Sequence, residues 1–133
     1  LHLIGAKVLP IDEQTNQDRL KFILDKISPK LIIGLENKIN NIKFIGFDCF
    51  IDLETSIMPL DISFPNLEDD ADLLFTTGTT GEPKGVILSH RNIAQSAYNI
   101  NSFIGNNHDD IELLAMPISH SFGLARLKCV LSR

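Results

Sequence analysis

Tryptophan is absent from the 133 residues and tyrosine occurs once. That argues against a platform that stacks nucleobases on aromatic rings. Basic residues are also short: 12 Lys and Arg stand against 17 Asp and Glu, for a net charge of −5. A nucleic-acid partner calls for the opposite balance, so none is expected. Cysteine appears twice, as Cys49 and Cys129, far apart and in no C-x-x-C pair. The expectation is two buried or partly buried thiols in a reducing compartment, not a disulfide framework. No apolar run reaches the length of a membrane span, and no signal peptide is visible. What remains is 44% hydrophobic and 22% charged residues, the balance of a globular domain. The expected location is cytoplasmic, with peripheral membrane association left open.

Methionine is missing from the first position, and the chain opens in the apolar pattern "LHLIGAKVLPI". It stops inside "FGLARLKCVLSR", which has helical spacing and no C-cap. These ends read as those of a piece cut from a longer protein, with a trimmed domain as the alternative.

The order of elements predicts an α/β fold with a mostly parallel sheet and flanking helices. Ala6–Ile11 reads as a strand. A helix follows, with Leu20, Ile23, Leu24 and Ile27 at helical spacing, Thr15 as N-cap and Asp18 near its positive end. Ser28-Pro29 stops it. "KLIIG" from Lys30 to Gly34 is the next strand, completing a βαβ unit. Glu36–Asn41 reads as a turn or short helix, and Ile42–Phe47 as another strand. Asp48–Pro65 has mixed signals and is expected on the surface. The acidic run "NLEDDAD", Asn66–Asp72, reads as a solvated segment without function. Leu73–Thr76 and Gly85–Ser89 read as strands. His90–Gly105 reads as a helix with the stripe Ile93, Ala97, Ile100 and Ile104, and Gly105 as its cap. Asn106–Asp110 is a turn, Ile111–Pro117 a strand stopped by Pro117, and Phe122 onward a helix. The chain thus divides into a βαβ-type portion (1–72), a loop with flanking strands (73–92), and a helix, strand and pocket-forming start (93–133).

Between the two central strands lies "TTGTTGEPKG". Gly78 and Gly81 let the backbone approach a ligand closely. Successive N–H groups in such turns form an anion-binding nest. Thr76, Thr77, Thr79 and Thr80 add hydroxyl donors, and Lys84 a mobile cation. Pro83 stiffens the exit, and Glu82 is expected to face solvent. Donors, flexibility and one cation suit a polyphosphate. The Walker pattern G-x-x-x-x-G-K-[ST] is not met: Pro83 precedes the lysine and Gly85 follows it. A strand rather than a helix follows, so no helix N-terminus anchors the phosphates. A plain Gly- and Thr-rich hairpin turn leaves the Pro-Lys-Gly ending unexplained.

The stretch Phe75–Gly85, "FTTGTTGEPKG", resembles the phosphate-binding signature of the adenylate-forming enzymes: acyl- and aryl-CoA ligases, peptide-synthetase adenylation domains and beetle luciferases. Phe75 stands where the family has Tyr, and Thr77 where it has Ser. "VILSHRNI" fits the usual continuation. "AMPISHSFGL", Ala115–Leu124, resembles the next family motif, Pro-x-x-His followed by a small residue, an aromatic and Gly. The resemblance is tight over Leu73–Leu124 and loose elsewhere.

The resemblance implies ATP-dependent activation of a carboxylic acid as acyl-adenylate, with release of pyrophosphate and transfer to a thiol such as CoA or a carrier protein. It places the ATP phosphates on Thr76, Thr77, Gly78, Thr79, Thr80, Gly81 and Lys84. It places His120 at the mouth of the carboxylate pocket, and Phe122 and Gly123 in the pocket wall. Lys84 and His120 are the catalytic candidates. Amino-acid-selecting domains carry Asp where this chain has Ser121, which favours a fatty or aryl acid. The remaining alternatives are a non-catalytic nucleotide-binding module and an amino-acid adenylation domain of a peptide synthetase. The implied Mg²⁺ has no Thr-Glu pair here; Glu54-Thr55 runs in the reverse order. The ribose-binding Asp and the C-terminal lid with its lysine are also missing, so the isolated chain is expected to be inactive. His2, His90 and His108 form no metal cluster in the sequence.

Overall fold

A computed structural model describes residues 1–36, 39–50, 63–76 and 82–133. They belong to two compact units. One comprises residues 16–61 and the other residues 1–15 with 62–133.

The smaller unit begins with α1 (Gln17–Ile27). Its N-cap is Asn16, one residue beyond the predicted Thr15; the Asn16 side chain accepts from the Arg19 N–H. Both residue types can cap, and the extended backbone at Asn16 decides between them. Ile23 is buried at 2% exposure. Ser28 ends the helix with φ 45°, in the left-handed region, before Pro29. β1 (Leu31–Gly34) then pairs in parallel with β2 (Lys43–Gly46), Ile32 opposite Phe44. A 3-10 turn, Phe47–Phe50, follows, and Cys49 within it is exposed rather than buried or partly buried as expected. The predicted turn at 36–41 lies partly, and the 48–65 surface segment largely, outside the described residues.

The larger unit is built on a hairpin. β3 (Asp70–Thr76) runs antiparallel to β4 (Lys84–Ser89), with a register shift between Asp70 and Asp72. α2 (His90–Ile104) leaves β4 without a linker, because Ser89 is at once the last strand residue and an N-cap. The Ser89 side chain accepts from the Asn92 N–H, and the Asn92 side chain accepts from the Ser89 N–H in return. Gly105 closes the helix at φ 77°, as expected. Of the predicted stripe Ala97 is buried, whereas Ile104 is 55% exposed. α2 packs on α3 (Ser121–Leu131) and against both strands. Asn101 donates from Nδ2 to the Cys129 carbonyl at 2.9 Å, joining the two helices beside the buried Cys129.

Two predicted strands differ. Ala6–Ile11 is not a strand; it makes one parallel bridge, Val8 to Asp72, supported by Leu73 N–H to the Val8 carbonyl at 2.9 Å. Val8 therefore meets β3, and the parallel pair is β1 with β2, not the βαβ unit read from the sequence. Ile111–Pro117 forms no ladder among the described residues, and Ile111 and Leu113 are fully or nearly fully exposed. A strand needs a partner for its N–H and C=O groups, which local pattern cannot supply. Glu112 holds the segment instead: it accepts from Arg126 Nε and Nη2, both at 2.6 Å, and from Arg133 Nη2 at 2.9 Å. The Arg126 hydrogen bond, with the charge of both arginines, lowers the Glu112 pKa despite its partial burial.

Candidate functional site

The hairpin gives the loop its mouth. Thr76 and Lys84 face each other in the last registered pair of β3 and β4. The Thr76 hydroxyl donates to the Lys84 carbonyl at 3.5 Å. Both residues are exposed and end the two strands on either side of residues 77–81 of the loop. Glu82 is exposed as expected. Thr77, Gly78, Thr79, Thr80 and Gly81 lie outside the described residues.

The second motif forms a turn and the start of α3. His120 N–H donates to the Pro117 carbonyl at 3.0 Å, closing the turn. Ser119 Oγ donates to Asp12 Oδ2 at 3.2 Å, which ties this turn to the N-terminal segment. His120 is the N-cap of α3: its Nδ1 accepts from the Phe122 N–H at 3.3 Å. An accepting Nδ1 is unprotonated, so Nε2 carries the hydrogen and is the ring's donor. His120 is exposed.

Gly123 explains why the motif needs glycine at this position. It is buried, and a Cβ built there would stand 2.3 Å from the Pro117 carbonyl oxygen and 2.7 Å from that of Met116. The chain therefore crosses its own turn at backbone contact, which is a packing requirement for glycine here. Phe122, the other residue expected in that wall, is 59% exposed.

A cavity of about 240 Å³ opens between the hairpin, α2 and α3. Leu74, Leu88, Ile93 and Leu124 give it apolar walls, and Ser121 and Ala125 border it from α3. Ser121, the position singled out for substrate class, therefore faces this space.

Sequence reading missed the polar floor of that cavity. Asp72, assigned to a solvated acidic run, is 2% exposed. Its Oδ1 accepts from His2 Nε2 at 2.9 Å, and Lys128 Nζ pairs with its Oδ2. The available signal was strand alternation: Asp72 lies two residues before Leu74 and so on the same face of β3. Among the described residues no group of three or more His, Cys, Asp or Glu side chains is placed to hold a metal ion. No described helix is long and apolar enough to cross a membrane.

A sequence model of the AMP-binding enzyme family matches residues 1–133. The chain belongs to that family. Family relatives include both CoA ligases and peptide synthetases. A component of the plipastatin synthase of Bacillus subtilis is 32% identical over 80% of this chain and 4% of its own length. The 2-succinylbenzoate–CoA ligase of Enterococcus faecalis is 29% identical over 92% of this chain and 26% of its own length. The chain thus spans about a quarter or less of these curated relatives. O-succinylbenzoate coenzyme A synthetase from Bacillus subtilis, solved with ATP and magnesium ion, superposes with TM-score 0.81 at 22% identity. That match covers 98% of this chain and 36% of the other, and it confirms the α/β fold of the family's N-terminal region.

Proposed function

We propose that this chain supplies the phosphate-binding and carboxylate-facing part of an ATP-dependent acid–thiol ligase. The observation that carries the reading is the Thr76–Lys84 pair held across the mouth of a Gly- and Thr-rich loop in an AMP-binding family member.

The chemistry is a problem of charge. A carboxylate is already ionised at neutral pH and needs no general base. It must approach a polyanion, so the protein has to hold and neutralise the departing pyrophosphate. Lys84 and the Thr76 hydroxyl fit that donor set. Thr77, Gly78, Thr79, Thr80 and Gly81 complete it in this reading through backbone N–H groups and hydroxyls. His120 caps α3 through Nδ1, which leaves Nε2 as the ring nitrogen free to meet the reacting oxygens in this reading. Bound Mg²⁺ would offset phosphate charge. No cluster for it exists among the described residues, so no step of this chain is placed on it.

Ser121 favours an acid without an α-amino group. A substrate ammonium taken into this space would need a carboxylate partner; Ser121 supplies none, and Asp72, which also lines the cavity, is already paired with His2 and Lys128. A fatty or aryl acid, with CoA as acceptor, is the reading adopted. A second reading, an amino-acid adenylation domain acting with a carrier protein, draws on the peptide-synthetase relatives. Reading the chain as a nucleotide-binding module without catalysis accounts for the loop but not for the His120 motif.

The test is ATP–pyrophosphate exchange by the full-length protein against fatty, aryl and amino acids, followed by thioester formation with CoA. Exchange with amino acids alone overturns the acid class; no exchange with any acid overturns adenylation. The 133 residues alone are expected to show none. Lys84→Ala is expected to lower the exchange rate while leaving the acid's KM within about threefold. Equal loss of both would mean that Lys84 only supports the hairpin.

A further inference from the structure

The buried charge at Asp72 has no part in the chemistry just described, yet several segments converge on it. Asp72 sits in β3, four residues before Thr76. Lys128, 16% exposed, reaches it from α3. His2 reaches it from the N-terminal segment, and Val8 bridges to its backbone. The His2 ring in turn stands edge-on to His90, with centroids 5.6 Å apart, and His90 is the first residue of α2 after β4. The strand that enters the loop is thus bonded to α3, and the segment leaving it touches the same cluster. α3 is also the helix that His120 caps.

We propose that Asp72 and Lys128 are positioning residues: their buried pair fixes the strand carrying Thr76 relative to the helix that His120 caps. Two reacting ends must be aligned for an in-line attack, and small misplacements cost much of the rate. A directional pair between β3 and α3 holds that alignment more narrowly than the apolar contacts of Leu74, Leu88 and Leu124 around it, which permit sliding. This inference rests on the adenylation reading.

The experiment separates alignment from folding. Removing the Lys128 ammonium leaves the buried Asp72 carboxylate with only its His2 hydrogen bond, so Lys128→Met alone is expected to lower the thermal midpoint. Replacing both, Asp72→Leu with Lys128→Met, removes the charge with roughly matched volume and is expected to keep the thermal midpoint near wild type. In the full-length protein this double variant is expected to lose at least tenfold in kcat for ATP–pyrophosphate exchange. Lys128→Arg, which keeps the pair, is expected to stay within threefold. A folded double variant with wild-type kcat would overturn the inference. If wild type shows no exchange, the adenylation reading fails and backbone amide exchange decides the positioning claim. Thr76 and Lys84 amides exchanging at least tenfold faster in the folded double variant would support it; unchanged rates would refute it.

Discussion

Substituting Gly123 by alanine tests whether α3 starts where it does because backbone meets backbone. The glycine is helical, so its cost is contact rather than φ. A Cβ would sit 2.3 Å from the Pro117 carbonyl oxygen, 2.7 Å from that of Met116 and 2.8 Å from the Pro117 carbonyl carbon. These are backbone atoms and cannot rotate away; either the 116–120 turn or the first turn of α3 must move. Forced overpacking of this kind costs about 1–3 kcal/mol. With an unfolding entropy of ~0.28 kcal/mol/K for a chain of this size, the midpoint falls by roughly 4–11 °C. The turn also carries the His120 N–H bond to Pro117, so its displacement loosens the His120 cap. Thermal unfolding followed by circular dichroism is the assay, with Gly105→Ala as a contrast: there φ is 77° and nothing lies within 4 Å. A Gly123→Ala midpoint within 1 °C of wild type would refute the argument that the turn is rigid.

Ser89→Ala removes the capping box that joins β4 to α2, and is expected to cost about 1 kcal/mol in a denaturation experiment. Glu112 has a folded pKa below its unfolded value, so its contribution is present above about pH 4.3 and is lost as pH falls through the lower folded value. Glu112→Gln is therefore expected to be less stable than wild type at pH 7, with the gap in urea midpoint closing below about pH 4. A gap that stays constant from pH 7 to pH 3 would contradict the Arg126 and Arg133 pairing. Cys49 is exposed and Cys129 buried, so a thiol reagent is expected to label one cysteine in the native protein and two in denaturant.

Much of the site was readable because its determinants are local. The Thr/Gly string with its flanking apolar runs announces a loop between strands, and β3 and β4 end where those runs end. Ser89 with Asn92 and Gly105 encode both ends of α2 within a few residues of each helix terminus. The start of α3 was read at Phe122, one residue after its first residue Ser121, and only the contact with the 116–117 backbone explains the glycine at 123. Other features depend on partners far along the chain. Ile111–Pro117 has a strand's pattern but no neighbouring strand among the described residues. Val8 needed β3 rather than β1 to become extended.

The sequence by itself determined the family and, to within a residue, the helix starts. Each rests on residue types acting over one turn or one hairpin, where propensity and hydrogen-bonding geometry suffice. Tertiary structure alone decided that Asp72 is buried and paired with His2 and Lys128, that Cys49 is exposed, and that Glu112 gathers two arginines. An acidic residue followed by apolar ones reads as surface until a cation from a distant helix arrives to pair with it. That arrival is a property of packing, because burial of a charge is tolerated only where a partner has been brought within reach.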